Sequence, residues 1–274
     1  MPVEYPPENH LLRDLRFSFE HGDAKRSRAW MPIVPEVCTD LGHPRAGALA
    51  TLVDVIGGGL AATAAAPDWI ATADLTLHVV RGAPPGSVVE ARAEVLRAGR
   101  TTVVIEVALV DDREREIGVA TMSFSALPRR DINPGVGAIR TAGPSTMATD
   151  TSYLALPLFD PIGVEVRDPA TGSIDVPVTE WTLNSMGAMQ GGVVALVTDI
   201  AAETGLRAAT GEPLVVVDMQ LSYLGFGRVG PVRSHVDVLG TAAGHGTARI
   251  ELVDTGAENR RMTVARAGAS RGLA

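Results

Sequence analysis

The stretch 42-GHPRAGALATLVDVIGGGLAATAA-65 joins a glycine-marked loop to a long apolar segment that contains one carboxylate, Asp54. The same plan returns at 187-GAMQGGVVALVTDIAAETGLRAA-209, where Asp199 takes the place of Asp54 after a shift of 145 residues (199 minus 54). Apolar residues recur at intervals of three and four in both stretches, which is the periodicity of an α-helix. Both helices are apolar on nearly every side, so we expect each to be buried by its surroundings.

The sequence that follows each helix is repeated as well. In residues 72–80 and 215–224 apolar side chains alternate with polar ones, as in a half-buried strand. A hairpin pattern comes next, at residues 88–111 and 232–254, and one more strand closes each half. Because a sheet with one apolar face must bury that face, we predict an α+β fold in which a curved antiparallel sheet wraps around each long helix.

The two copies are separated by a segment that resembles neither of them. It is rich in Pro and Gly, which favours a connecting segment over a helix or strand. We therefore predict a first domain at residues 1–128, a linker at residues 129–151 and a second domain at residues 152–274.

The amino-acid composition argues against several kinds of binding partner and cofactor. The net charge is −8, with 24 basic and 32 acidic residues, which argues against nucleic acid or an anionic membrane as a partner. A single cysteine, Cys38, excludes a disulfide framework and a cysteine-built zinc site. The six histidines lack the spacing of a metal-ligand set, so no metal or other cofactor is predicted.

The most membrane-like segment is residues 46–66, which carries Asp54. A carboxylate in the middle of a span costs ~2.5–3.5 kcal/mol on the insertion scale, so a buried core helix is favoured over a membrane helix. The N-terminal residues show no basic flank followed by an apolar run, the pattern of a secretory signal. We expect a cytoplasmic protein with no membrane partner.

The loop before the second helix is 184-NSMGAMQGG-192, and Asp199 lies nine residues beyond Gln190. This order resembles the N-x-x-G-x-x-H-G-G motif and helical Asp of hotdog-fold acyl-CoA thioesterases, in the branch related to phenylacetate-pathway thioesterases. Gln190 stands where that motif has His. The resemblance covers nearly the whole chain and implies two fused hotdog domains paired as a pseudo-dimer.

Such pairs share each site across the interface of the two domains, so the resemblance implies two composite sites. The one that we call site one takes Asn184, Gln190 and Gly191 from the second half, with Asp54 and Thr72 from the first. These residues retain most of the family pattern. We predict that site one is catalytic.

The other composite site, site two, departs further from the motif. It takes Thr39, Arg45 and Ala46 from the first half, with Asp199 and Val216 from the second. Thr39 replaces the motif's Asn, Arg45 its His, and Val216 the hydroxyl residue of the following strand. We predict that site two is degenerate or only binds.

The resemblance implies hydrolysis of an acyl-CoA to free acid and CoA. Asp54 would act as general base for water or as nucleophile, and backbone N–H groups at Gly191 would stabilise the oxyanion. Thr72 would orient the water or hold the carboxylate. Asn184 and Gln190 would fix the loop or bind the thioester group.

Structural interpretations of the same residues remain open. Asp54 and Asp199 could cap neighbouring backbone, Asn184 is a natural turn residue, and Thr72 is a common strand residue. Two other functions also remain: a non-catalytic acyl-CoA-binding protein, which the lost His favours, and an acyl-thioester hydratase or dehydratase. The hydratase or dehydratase is less favoured because no His follows either Asp within its helix. The expected partners are an acyl-CoA substrate and a second copy of the chain.

Overall fold

The structure is a computed structural model and describes residues 5–128 and 143–273. In that part of the chain the helices and strands follow in this order: α1 Leu11–Asp14, β1 Ser18–His21, β2 Arg26–Pro32, α2 Ala46–Ala65, β3 Trp69–Val79, β4 Val88–Ala98, β5 Thr102–Asp111, β6 Glu116–Leu127, β7 Gly143–Thr146, β8 Glu165–Asp168, β9 Ser173–Val176, α3 Gly191–Thr210, β10 Val215–Tyr223, β11 Val232–Ala242, β12 His245–Asp254 and β13 Arg260–Ser270. The two predicted helices are α2 and α3, and the predicted strands follow each of them.

All the strands belong to one antiparallel sheet. Their order is β7-β1-β2-β4-β5-β6-β3 in the first half and β10-β13-β12-β11-β9-β8 in the second. The halves join where β3 pairs with β10, with His78 opposite Asp218 and Asp74 opposite Ser222. The backbone hydrogen bonds of that pair tie the two halves into a single curved sheet, and each half keeps its own central helix.

The two central helices cross near their N-terminal ends with their backbones in contact. A Cβ atom on Gly47 would lie 2.4 Å from Leu196 Cα, and one on Gly192 would lie 2.5 Å from Thr51 Cα. These two contacts are related by the 145-residue shift, so the repeat in sequence becomes a pseudo-twofold in space. Only glycine permits so close an approach, because any side chain would push the helices apart.

Helix α2 is the core helix of the first half. By length and composition it could cross a membrane, but 61% of its most apolar window is buried inside the protein. It packs against β3, β4 and β5. The expectation of a core helix at this segment therefore agrees with its packing.

The predicted linker divides into two parts. Residues 129–142 lie outside the described residues, whereas Gly143–Thr146 forms β7 and pairs with β1, Thr146 opposite Ser18. The end of the predicted linker therefore extends the sheet of the first half by one edge strand. This strand was not predicted because four residues are too few to show an alternation of apolar and polar side chains.

Candidate active site

Residues 184–190 form the loop that we call the site-one loop. Its shape is fixed by the Asn184 side chain and by the backbone conformation of Gly187. Asn184 Oδ1 accepts hydrogen bonds from the N–H groups of Met186 at 2.9 Å and Ala188 at 3.1 Å. Gly187 has φ +68°, a conformation that glycine adopts without strain. Asn184 thus holds the loop in shape, the first of the two roles foreseen for it.

Asp54, 6% exposed, receives three hydrogen bonds inside the protein. Thr72 Oγ1 donates to Oδ1 at 2.9 Å. Gln190 Nε2 donates to Oδ2 at 2.6 Å, and the Gly192 N–H donates to the same oxygen at 3.0 Å. Asp54 and Thr72 come from the first half, and the other two donors come from the second. The structure therefore brings together the predicted members of site one across the domain interface.

The N-terminal turn of α3 presents its amides to this carboxylate. Gln190 Oε1 accepts the Val193 N–H at 3.0 Å, so one side chain caps the helix and also donates to Asp54. For the Gly191 N–H, no acceptor is found among residues 5–128 and 143–273. That group is one of the unsatisfied donors at the positive end of a 20-residue helix.

Gly191 lies against the carboxylate itself. A Cβ at this position would lie 2.8 Å from Asp54 Oδ1 and 3.0 Å from Oδ2, closer than two such atoms can approach. A residue with a side chain would displace Asp54 or the helix end. The absence of a side chain leaves the Gly191 N–H open beside the carboxylate.

The electrostatics of Asp54 are set by burial. Burial raises the pKa of Asp54 to about 6, while hydrogen bonds from Thr72, Gly192 and Gln190 act in the opposite direction. The group is thus mainly ionised at pH 7 but binds a proton far more readily than an exposed Asp. A carboxylate in this range suits general-base catalysis near neutral pH.

Two tyrosines stand beside site one. The Tyr223 hydroxyl donates to the Gly191 carbonyl at 2.9 Å, and the Tyr5 hydroxyl donates to the Leu183 carbonyl at 3.2 Å. Burial raises the pKa of each tyrosine above its ordinary value, and the negative charge of Asp54 raises both further. Neither tyrosine was among the residues predicted for the site, because nothing in its sequence neighbourhood marks it.

The N-terminal segment packs against the residues that precede the site-one loop. Trp181 Nε1 donates to Asp14 Oδ2 at 2.7 Å, and His10 Nε2 donates to the Leu183 carbonyl at 2.7 Å. His10 Nδ1 meanwhile accepts the backbone N–H of Leu12, which requires the neutral ring. The first half therefore supports the loop that the second half contributes to site one.

Site two has a different balance of charge. Arg45 Nη1 donates to Glu203 Oε2, and it lies 3.8 Å from Asp199 Oδ2. Asp199, Arg45 and Glu203 are each under 9% exposed. Asp199 Oδ2 has no hydrogen-bond partner in the described part of the chain. Arg45 thus fills, with a guanidinium, the place that Gln190 occupies in site one.

The pKa of Asp199 is raised to about 7. Burial is the largest cause; Arg45 acts in the opposite direction, and the charge of Glu203 adds to the rise. The cation lies closer to Glu203 than to Asp199, so it neutralises Asp199 only in part. Site two is therefore a buried network of Arg45 with two carboxyl groups, and the more exposed Arg207 contacts Glu203 at 3.3 Å.

The remaining members of site two have structural contacts. Thr39 Oγ1 donates to the His43 carbonyl at 3.3 Å and closes a loop like that of Asn184. Val216 is buried and offers no hydroxyl to Asp199, where Thr72 serves Asp54. Glu203 was missed from sequence, although its position one turn beyond Asp199 on the same helix could have revealed it.

Comparison with known proteins finds a family similarity over part of the chain. Residues 42–117, which include Asp54 and Thr72, match the thioesterase superfamily. Among curated proteins, none matches the chain in sequence. The resemblance to thioesterases is thus confirmed for that part of the chain, and the match supports the prediction of a thioester hydrolase.

Solved structures share the fold over most of the chain. The tesB protein of Mycobacterium avium subspecies paratuberculosis is 12% identical with TM-score 0.63, and the match covers 92% of this chain and 94% of that one. A protein of Thermobifida fusca, provisionally named thioesterase II, is 16% identical with TM-score 0.63, covering 93% and 96%. An acyl-ACP thioesterase of Bacteroides thetaiotaomicron is 10% identical with TM-score 0.58, covering 89% and 98%. The predicted fold of two fused hotdog domains is confirmed.

Proposed function

We propose that this thioesterase-superfamily protein hydrolyses acyl-CoA thioesters at site one, with Asp54 as the general base. The observation that carries the proposal is the pairing of a buried carboxylate with an open helix N-terminal amide. Asp54 is held by Thr72, Gln190 and Gly192, and the neighbouring Gly191 has an N–H with no acceptor among the described residues. A nucleophile-activating group and an oxyanion donor are therefore adjacent, as acyl transfer to water requires.

The hydrogen bonds of Asp54 are distributed unequally between its two carboxylate oxygens. Oδ2 accepts from both Gln190 and Gly192, whereas among the described residues Oδ1 accepts from Thr72 alone. Oδ1 therefore retains a lone pair that can take a proton from water. For this reason we favour a general base over direct attack by the carboxylate.

The reaction then proceeds in two steps. Water attacks the thioester carbonyl carbon as its proton passes to Asp54 Oδ1, and the carbonyl oxygen becomes an oxyanion that accepts from the Gly191 N–H. The tetrahedral intermediate collapses, the C–S bond breaks, and the proton on Asp54 passes to the departing CoA thiolate. The products are a free acid and CoA, and Asp54 is again a carboxylate.

The test is thiol release from a panel of acyl-CoAs, short to long and aromatic, followed with a thiol-reactive dye. We expect turnover by the wild-type protein and a loss of ~10²–10⁴-fold in Asp54→Asn, the usual contribution of a general base. The matched control is Asp199→Asn, which should keep activity within a few fold.

Other outcomes would change the proposal in defined ways. If Asp199→Asn is the inactive variant, the enzyme is a thioesterase that works at site two. If the wild-type protein binds acyl-CoA in calorimetry but releases no thiol, it is a binding protein. Loss of the substrate without free thiol would instead indicate a hydratase or dehydratase.

A further inference from the structure

One peptide unit in site one is held from both sides. The Tyr223 hydroxyl donates to the Gly191 carbonyl at 2.9 Å. That carbonyl shares its peptide plane with the Gly192 N–H, which donates to Asp54 Oδ2 at 3.0 Å. Tyr223, the peptide and Asp54 therefore form one chain of hydrogen bonds.

This series of hydrogen bonds has two effects on the N-terminal end of α3. Donation to a carbonyl polarises its peptide and strengthens the hydrogen bond that its N–H makes. It also adds a restraint to a turn of backbone in which Gly191 and Gly192 both lack a side chain. The direction of the Gly191 N–H depends on that restraint.

Tyr223 is suited to act as a permanent donor. Burial raises its pKa well above the ordinary value, and the charges of Asp54 and Asp74 raise it further. The phenol therefore stays protonated through the neutral range and keeps its hydrogen on the Gly191 carbonyl.

The arrangement exists in only one of the two sites. After the 144-residue shift that relates Asp74 to Asp218, the counterpart of Tyr223 is Val79 (223 minus 144), which has no donor. Site two therefore lacks the tyrosine as well as the threonine. The tyrosine goes with the site whose carboxylate lacks a cation.

We propose that Tyr223 is a positioning residue for site one: it fixes the Gly191–Gly192 peptide, and through it both the oxyanion donor and Asp54. The role in turnover rests on the proposed thioesterase function. The effect on Asp54 does not, because it is a property of the resting protein.

The pH dependence gives a signature that a merely structural residue would not produce. The Gly192 N–H lowers the pKa of Asp54, so loss of the Tyr223 hydroxyl should weaken that bond and raise this pKa further above about 6. Catalysis needs the carboxylate, and activity falls as pH drops through the pKa of Asp54. The acidic limb should thus move to higher pH. Tyr5 and Tyr223 are the titratable groups whose own pKa values respond to Asp54.

The experiment compares Tyr223→Phe with Tyr153→Phe, which removes a hydroxyl from an exposed tyrosine. For Tyr223→Phe we expect kcat about tenfold lower, KM within twofold, and an acidic limb at higher pH, the loss corresponding to one hydrogen bond. Tyr153→Phe should match the wild-type protein in all three. In parallel, the Asp54 carboxyl is titrated by ¹³C NMR, with Asp54→Asn to identify its signal.

The outcomes separate this proposal from the proposed function. An unchanged Asp54 pKa and unchanged kcat in Tyr223→Phe would overturn it, as would a lower thermal midpoint with neither change. A raised pKa in a protein that turns over no thioester would retain the positioning of Asp54 and reject the thioesterase. A raised pKa with unchanged kcat would show that the peptide is held without any consequence for catalysis, and would also overturn it.

Discussion

Site one and site two are built on the same backbone plan and differ in how a buried carboxylate is satisfied. In site one neutral donors hold Asp54: a hydroxyl, a side-chain amide and a backbone amide. In site two Arg45 lies between Asp199 and Glu203. Within the part of the chain that the structure describes, one site retains an anion without a counter-ion, and the other is an ion-pair network.

The difference shows how a duplicated domain can keep its fold while one copy of the site changes role. An unpaired buried carboxylate is unfavourable, and a site retains it where reaction chemistry needs a base. A buried cation, as Arg45 is in site two, removes that demand. The stabilising contribution of site two should therefore exceed its contribution to activity.

The largest expected effect is on stability. Arg45→Met removes the cation that lies between Asp199 and Glu203 and leaves Glu203 with its contact to Arg207, so the free energy of unfolding should fall by about 3–5 kcal/mol at pH 8. Arg45 lowers the pKa of Asp199, so in this variant the folded-state pKa of Asp199 should rise further above about 7. The loss is therefore largest at high pH, where Asp199 is ionised, and shrinks towards pH 5, where Asp199 is protonated in the folded protein. Urea unfolding at the two pH values measures this.

Gln190→Met is the matched change in site one, because Gln190 and Arg45 occupy equivalent positions. It should cost less stability than Arg45→Met, since it leaves no charged group newly unpaired, but it should lower thiol release. If Arg45→Met instead abolishes thiol release at unchanged unfolding free energy, site two is a working site and the comparison is wrong.

Gly191→Ala should give the next largest effect. The new Cβ would lie 2.8 Å from Asp54 Oδ1 and beside the open N–H, so kcat/KM should fall by ~10²–10³, as on loss of an oxyanion donor. Site two supplies the control, because Ala46 is the counterpart of Gly191. Ala46→Gly should leave kcat/KM within twofold. Equal losses in the two variants would show that the helix ends matter for folding and not for the reaction.

Thr72→Val should give the smallest effect of the three. It copies the residue that site two already has at Val216, removes the hydrogen bond to Asp54 Oδ1, and should lower kcat roughly tenfold. The reverse change, Val216→Thr, should not alter turnover. An unchanged kcat in Thr72→Val would mean that the threonine is only a strand residue, as its sequence context also allows.

Much of the fold could be predicted from local patterns. The period of α2 and α3, the alternation in β3 and β10, and the repeat itself are visible in residues close together in sequence, because burial of one face imposes those periods. The short β7 was missed, since an edge strand needs only backbone partners.

The candidate site was predicted less completely. Asp54, Thr72 and Gln190 followed from the spacing that resembles thioesterases, and the structure joins them by hydrogen bonds. Tyr223 and Glu203 did not follow. A tyrosine at the end of a strand and a glutamate on a helix are ordinary residues until a neighbour is known.

The sequence by itself determined the elements, the duplication and the types of side chain available, because these depend on residues within a few positions of each other. The pairing of Asp54 with the site-one loop was expected only from the family resemblance, and the tertiary structure decides the contacts that make it. Residues 136 apart, Asp54 and Gln190, touch because two glycines let the helices cross at their ends. Packing of the helices also placed Arg45 beside Glu203, whereas no described cation pairs with Asp54. Long-range contact of that kind has no local period to reveal it.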